Sequence, residues 1–458
     1  MKGNMETTKK RSNFSSKFGF VMAAAASAVG LGNLWRFPYL AAKYGGGIFL
    51  LVYLILAVTF GFAMLCAEIG IGRKTKLAAI AAYQSLDKRF SICGWLGLII
   101  PCMITPYYCV IGGWVVKYCL VYLTGQGAAA AKDGFFSAAI GATWPPLAWF
   151  FIFLGITFIV VLLGVEKGIE RISSVLMPVL IVLSIGIAIY TSTRPGALAG
   201  IKYYLLPEFS NLSPKTFLGA LGQLFYSLSL AMGIMVTYGS YMRKEDNMES
   251  AIIQIDFFDC LIAFIAGLMI VPSVYVFSGG DTSAMNQGAG LMFITLPKVF
   301  ASFKGGSFVG FAFFLLVLFA ALTSSISLLE AMVSNIIDLS GWSRRKSTVA
   351  MGLLCVVVGV PCSLGFGAWS GITFFGFDIL DFLDFLSNSL MMPILAFLTC
   401  VFIGYFLKPE AIIEEAQLNG AKFRRAGYFR FLIKYVCPIG ILLILGSTIL
   451  QTLGVFKI

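Results

Sequence analysis

Residues 23–39 read AAAASAVGLGNLWRFPY, and they decide the fold by breaking the pattern of a spanning helix from within. The alanine run suits hydrocarbon, yet Ser27, Gly30, Gly32 and Asn33 follow it, then Arg36 and Pro38. Backbone unwound at membrane depth exposes N–H and C=O groups, tolerated only where the break is covered by protein or lines a cavity. A second stretch, GQLFYSLSLAMG at 222–233, repeats the pattern of Ser and Gly inside an apolar run.

The rest of the chain supports a membrane setting. Of its 458 residues 59% are hydrophobic and only 12% charged, too few polar groups to cover a soluble surface. Eleven apolar runs are long enough to cross a hydrocarbon core about 30 Å thick. They are spans 1 to 11, at 18–41, 46–70, 92–124, 147–164, 172–192, 216–240, 250–277, 308–338, 348–368, 377–407 and 431–455. The net charge of +12 is expected to orient these spans rather than to bind nucleic acid. Most of the 33 Lys and Arg residues fall on one side if the N-terminus is cytoplasmic, as the tail with Lys9, Lys10 and Arg11 suggests. The ten cysteines lie mostly in apolar runs and act as small hydrophobes. The sequence holds no histidine, which excludes His bases, His metal ligands and His proton relays. Enzymatic function is not expected, and no soluble catalytic domain fits between the spans.

The two interrupted spans, 1 and 6, stand five apart, as expected if spans 1–5 and 6–10 are inverted repeats with a site where the broken helices meet. The expected organisation is a tail at 1–17, repeats at 18–192 and 216–407, a charged linker at 408–430 and an eleventh helix within 431–458. Freed carbonyls and hydroxyls suit a small hard cation, and half-helix N-termini suit an anion. A zwitterionic amino acid travelling with cations satisfies both. Carboxylates inside spans, Glu68, Asp259, Glu330 and Asp384, each need a reason to be there. Glu68 is expected to accept N–H groups freed by an unwound helix, and Asp259 to hold a cation, to carry a proton or simply to be satisfied within the bundle.

SAVGLGNLWRFPY followed by GGGIFLLVYL resembles the first two helices of the neurotransmitter:sodium symporters. YYCVIGGW (107–114), GQLFYSLSLAMG (222–233), YGSYMRK (238–244) and ALTSSISLLEAMVSNIID (321–338) match in order, covering roughly 11–405. Members of this family are themselves the type example of the broken-helix arrangement. The eleven-span count is similar to the bacterial amino-acid transporter branch.

The resemblance implies an all-α polytopic, five-plus-five inverted-repeat (LeuT-like) bundle with discontinuous helices 1 and 6. It implies sodium-coupled import of a neutral, hydrophobic or aromatic amino acid by alternating access, across a bacterial inner membrane. One sodium site would use the Ala28 carbonyl, Asn33, Ser227 and Asp259. A second would use the Ala26, Val29 and Ala320 carbonyls with Thr323 and Ser324. Substrate would sit among Ser27, Ala28, Leu31, Gly32, Ile104, Tyr108, Tyr226, Ser227, Ser229, Met232, Ser324 and Leu328. Arg36 and Asp384, with Asp381 as competitor, would form the outer gate, and Arg11 and Asp338 the inner one. Phe14 stands where many members carry tryptophan. Gly168 and Pro178 match a pattern that lets span 5 unwind. Asp259 and Ala263 replace the asparagine and serine of chloride-dependent members, so chloride independence is expected. The alternative is a proton-driven or exchange transporter of the same architecture, which often places Lys or Arg near the Thr323 hydroxyl. The oligomeric state is left open.

Overall fold

The computed structural model describes residues 12–279, 288–302 and 304–452. Arg11 and the end of span 11 lie outside the described residues. Among the described residues the chain is helical, and nine helices are long and apolar enough to cross a membrane. Lys17–Ala28 and Gly32–Lys43 form a tenth span, bent by 51° at its break. Pro214–Ser227 and Ile234–Tyr241 flank six residues, Leu228–Gly233, and lie where span 6 is expected.

Local chemistry sets the ends. The Ser16 hydroxyl accepts the Gly19 N–H and starts span 1. Ser213 and Thr216 form a reciprocal capping box at the start of span 6, with Pro214 at the first helical position. Asn247 caps span 7 and Asp378 caps span 10. Span 9 begins at Arg344 rather than 348 because Ser343 caps it, and it ends at Leu364. Span 11 starts at Ala426, before the expected 431, so the linker is shorter than its charge run suggests. Within that linker Glu410–Ala416 is helical.

Spans 3 and 8, Lys88–Leu123 and Gly306–Ser340, have 83% and 78% of their apolar windows buried, against 33% for spans 5, 9 and 11. Spans 3 and 8 are therefore the most enclosed, while the other three lie at the outside of the bundle; the broken helices pack chiefly on spans 2 and 7, with span 8 behind span 1. Ala23–Ala26 are buried almost completely, letting span 1 approach its neighbours closely.

The end of the bundle carrying the tail is cross-tied. Phe14 is buried edge-on against Phe20, Tyr238 and Tyr241. Ser15 donates its N–H and hydroxyl to Glu170 at 2.8 and 2.6 Å. Glu170 closes a π-helical turn, Val165–Glu170, that contains Gly168 and opens the span holding Pro178. Buried Arg73 donates to the carbonyls of Glu415, Lys244 and Asp246, tying span 2 to the linker.

Candidate substrate and ion site

The break in span 1 redirects its backbone. Gly30 donates its N–H to the Asn33 side-chain oxygen at 3.1 Å, and the Leu31 nitrogen lies 3.5 Å from the Tyr108 hydroxyl. A regular helix would have aimed these groups at the carbonyls of Ala26 and Ser27. The Ser27 carbonyl instead accepts the hydroxyls of Ser229 at 2.9 Å and Ser324 at 3.1 Å. Spans 1, 6 and 8 thus meet at one freed carbonyl. Val29 is extended, with φ −76° and ψ 93°.

Gly30 and Gly32 are required by close approach. A Cβ on Gly30 would lie 2.8 Å from the Ser324 hydroxyl, and one on Gly32 would lie 2.4 Å from the Tyr226 ring. The break in span 6 is tighter still. Ser229, Ala231 and Gly233 all have positive φ, at 52°, 56° and 70°. The Ala231 N–H that this turn releases is taken by Glu68 at 2.7 Å, as expected for that carboxylate.

Between the breaks lies a fully buried polar cluster. Asn33 donates its amide to Asp259 Oδ1 at 2.8 Å and to the Ser227 hydroxyl at 2.9 Å. Ser227 donates to the same Asp259 oxygen at 2.6 Å. The structure adds Tyr53, whose hydroxyl donates to Asp259 Oδ2 at 2.8 Å. Gln223 is also added, its amide reaching the Gly32 carbonyl at 3.0 Å. Neither was singled out from sequence; Tyr53 sits in GGGIFLLVYL as one more apolar position, and only the opposing Asp259 gives its hydroxyl a purpose.

The remaining predicted residues gather around these. Ala28, Leu31, Ile104, Tyr108, Met232 and Leu328 are buried, and Tyr226 is half-buried above Gly32. Ala26 and Ala320 are also buried; Thr323 donates to the carbonyls of Phe319 and Ala320, each at 3.1 Å.

The expected outer pair is not closed as an ion pair. Asp384 accepts Tyr107 at 2.9 Å and Asn388 at 2.6 Å, and no Lys or Arg nitrogen lies within 4.0 Å among the described residues. Asn388 lies one helical turn further along the same span, so a neutral donor reaches the carboxylate first. The Arg36 guanidinium lies 5.2 Å from the Tyr226 ring centre instead. Asp381 is exposed, its N–H held by the Asp378 cap. At the other end Asp338 accepts the Ala78 N–H at 2.6 Å; its expected partner Arg11 lies outside the described residues. Glu330 is the buried acceptor of Arg344 and Tyr241.

Two interrupted spans meeting at a buried polar centre inside a many-span bundle define a membrane transporter of the broken-helix class. The chain belongs to the sodium:neurotransmitter symporter family, whose sequence profile matches residues 11–131 and 139–455. It is 35% identical to YhdH of Bacillus subtilis, named an uncharacterized sodium-dependent transporter, over 95% of this chain and 97% of the relative. A sodium-dependent transporter of Haemophilus influenzae is 34% identical over 96% and 99%. The crystal structure of MhsT in complex with L-phenylalanine superposes with a TM-score of 0.86 at 36% identity, covering 96% of this chain and all of that one. The chain is therefore a sodium-dependent, multi-span membrane transporter with a LeuT-like fold, and not an enzyme.

Proposed function

We propose that the chain is a symporter that moves a neutral hydrophobic or aromatic amino acid together with sodium by alternating access. The observation that carries this reading is the convergence of Asn33, Ser227 and Asp259 on one buried point beside the freed backbone of both broken spans. Oxygen donors of this kind suit a hard monovalent cation. Asn33, Ser227, Asp259 and the Ala28 carbonyl hold one sodium. The carbonyls of Ala26, Val29 and Ala320, with Thr323 and Ser324, hold a second. The amino acid's carboxylate lies by the Leu31 amide and the Tyr108 hydroxyl, which stand together already. Its side chain lies among Leu31, Ile104, Met232 and Leu328, with Ser27, Ser229 and Tyr226 closing the chamber. Met232 repacks readily around ligands of different size. The relative solved with L-phenylalanine supports this substrate class.

Arg36 and Asp384 form the outer layer and Asp338 the inner one, the halves 18–192 and 216–407 being inverted repeats. The N-terminus faces the cytoplasm of a bacterial cell, as the charge distribution favours. Chloride is not required, because the Asp259 carboxylate supplies the negative charge.

Thermal-shift measurements on purified protein, comparing each proteinogenic amino acid in sodium and potassium salts, test the reading. A hydrophobic amino acid should raise the melting temperature in sodium only. If none does, the proposal fails. Replacing chloride by gluconate should leave the shift unchanged.

A further inference from the structure

Asp256 has no role in the site as described. It lies one helical turn before Asp259 on span 7, towards the end where the linker packs, about 4.5 Å along the axis. The residue is only 6% exposed, and its Oδ1 has no hydrogen-bond donor. No Lys or Arg nitrogen lies within 4.0 Å of it among the described residues. A buried carboxylate without donor or cation costs several kcal/mol if it is to stay charged.

This oxygen packs close to bare backbone. Opposite stands Gly61, the last residue of a π-helical turn, Ala57–Gly61, in span 2. A Cβ there would lie 3.3 Å from Asp256 Oδ1 and 2.6 Å from Leu228, the first residue of the span 6 break. Bare glycine thus lets Leu228 and the Asp256 oxygen pack directly against the backbone of this turn, and π-helical turns occur frequently at functional sites. The ionisable groups facing Asp256 are few. Asp259 and Cys260 share its helix, Cys66 on span 2 lies near enough to feel its charge, and exposed Arg425, 5.5 Å from the Phe62 ring centre, acts on it from the linker. Further along the same helix buried Glu249 accepts the Arg424 N–H at 2.9 Å. Glu249, Asp256 and Asp259 thus mark a file of buried carboxylates from the linker end to the polar cluster.

We propose that Asp256 is a transit site for a small cation, a proton or a sodium ion, exchanged with the cluster around Asp259. The proposal rests on the symporter reading and adds to it a binding group and a direction of passage. In the proton case the O–H bond at Asp256 breaks as sodium arrives at Asp259, and the proton leaves to water at the linker end. In the sodium case the ion itself pauses at Asp256.

Two counts on purified protein distinguish the cases: protons released into weakly buffered dye solution when sodium chloride, rather than choline chloride, is added, and sodium-22 bound at saturation. Asp256→Asn should release about one proton fewer per protein if the cation is a proton, or bind about one sodium fewer if it is sodium. Asp256→Glu should restore the lost count. Gly61→Ala, which keeps the carboxyl but crowds it and Leu228, should reproduce the loss, and it serves if Asp256→Asn does not fold. Unchanged counts in both Asp256→Asn and Gly61→Ala would overturn the proposal. Wild-type protein that neither binds sodium nor releases protons would remove the symporter reading, and this proposal with it.

Discussion

Removing Arg344 tests the packing logic of the bundle most directly. Its guanidinium grips Glu330 through two bonds of 2.8 and 2.7 Å and also donates to the Val161 carbonyl at 2.8 Å. The Glu330 side chain is completely buried, that of Arg344 23% exposed, and Tyr241 adds a third bond to Glu330 at 2.6 Å. Spans 4, 6, 8 and 9 are thereby joined at one carboxylate. Deleting one partner of a buried pair costs about 3–5 kcal/mol, because the survivor keeps its charge without compensation. The partial exposure of Arg344 places Arg344→Ala near the lower end, about 3 kcal/mol. Replacing both partners by methionine removes both charges, so the double change should cost less than the sum of the single ones. The coupling energy should reach at least about 2 kcal/mol. Reversible unfolding in mixed micelles, titrated with dodecyl sulfate, measures it. Arg344→Lys should recover little, since an ammonium cannot reproduce the two-pronged contact. A coupling below about 0.5 kcal/mol, or full recovery with lysine, would refute the reasoning.

Other expectations follow from single contacts. Gly32→Ala places a methyl group into the Tyr226 ring; at about 1–3 kcal/mol for overpacking, sodium-dependent ligand affinity should fall about 5- to 150-fold while the protein stays folded. Phe14→Ala removes three edge-on ring contacts and should cost about 3 kcal/mol, seen as faster tryptic trimming at Lys17. Lys76, just beyond span 2, donates to the Met242 carbonyl; burial, helped by nearby Lys244 and Arg73, lowers its pKa to about 8. Because the folded value lies below that of the unfolded chain, the unfolded state binds more protons between about pH 8 and 10.5. The melting temperature should therefore rise across that window, and Lys76→Met should flatten the rise.

Much of this was legible in the residues. Ser and Gly inside apolar runs mark both breaks, with Asn33 added at the first, because nothing else excuses them in hydrocarbon. Asn33, Ser227 and Asp259, distant in sequence, meet as the resemblance implies. The π-helical turns at Val165–Glu170 and Phe385–Met391 were not legible, since a one-residue shift in hydrogen-bond register leaves composition unchanged. Tyr53 was missed for a related reason: its ring obeys the apolar pattern and only its hydroxyl departs from it. Arg36 and Asp384, which the resemblance implies as gate partners, stand apart here: Tyr107 and Asn388 hold the carboxylate, and the Arg36 guanidinium lies by the Tyr226 ring, a choice of partner that residue types alone do not reveal.

The backbone of the span 6 break has a consequence for how this molecule works. Ser229 and Ala231 hold left-handed conformations that glycine would adopt without penalty, at a cost of roughly 1–2 kcal/mol each. Glycine there would relieve that strain but give the segment many more shapes in which to wander. Side chains at these two positions make the interruption a mould rather than a joint, narrowing the shapes its oxygens and amides can take.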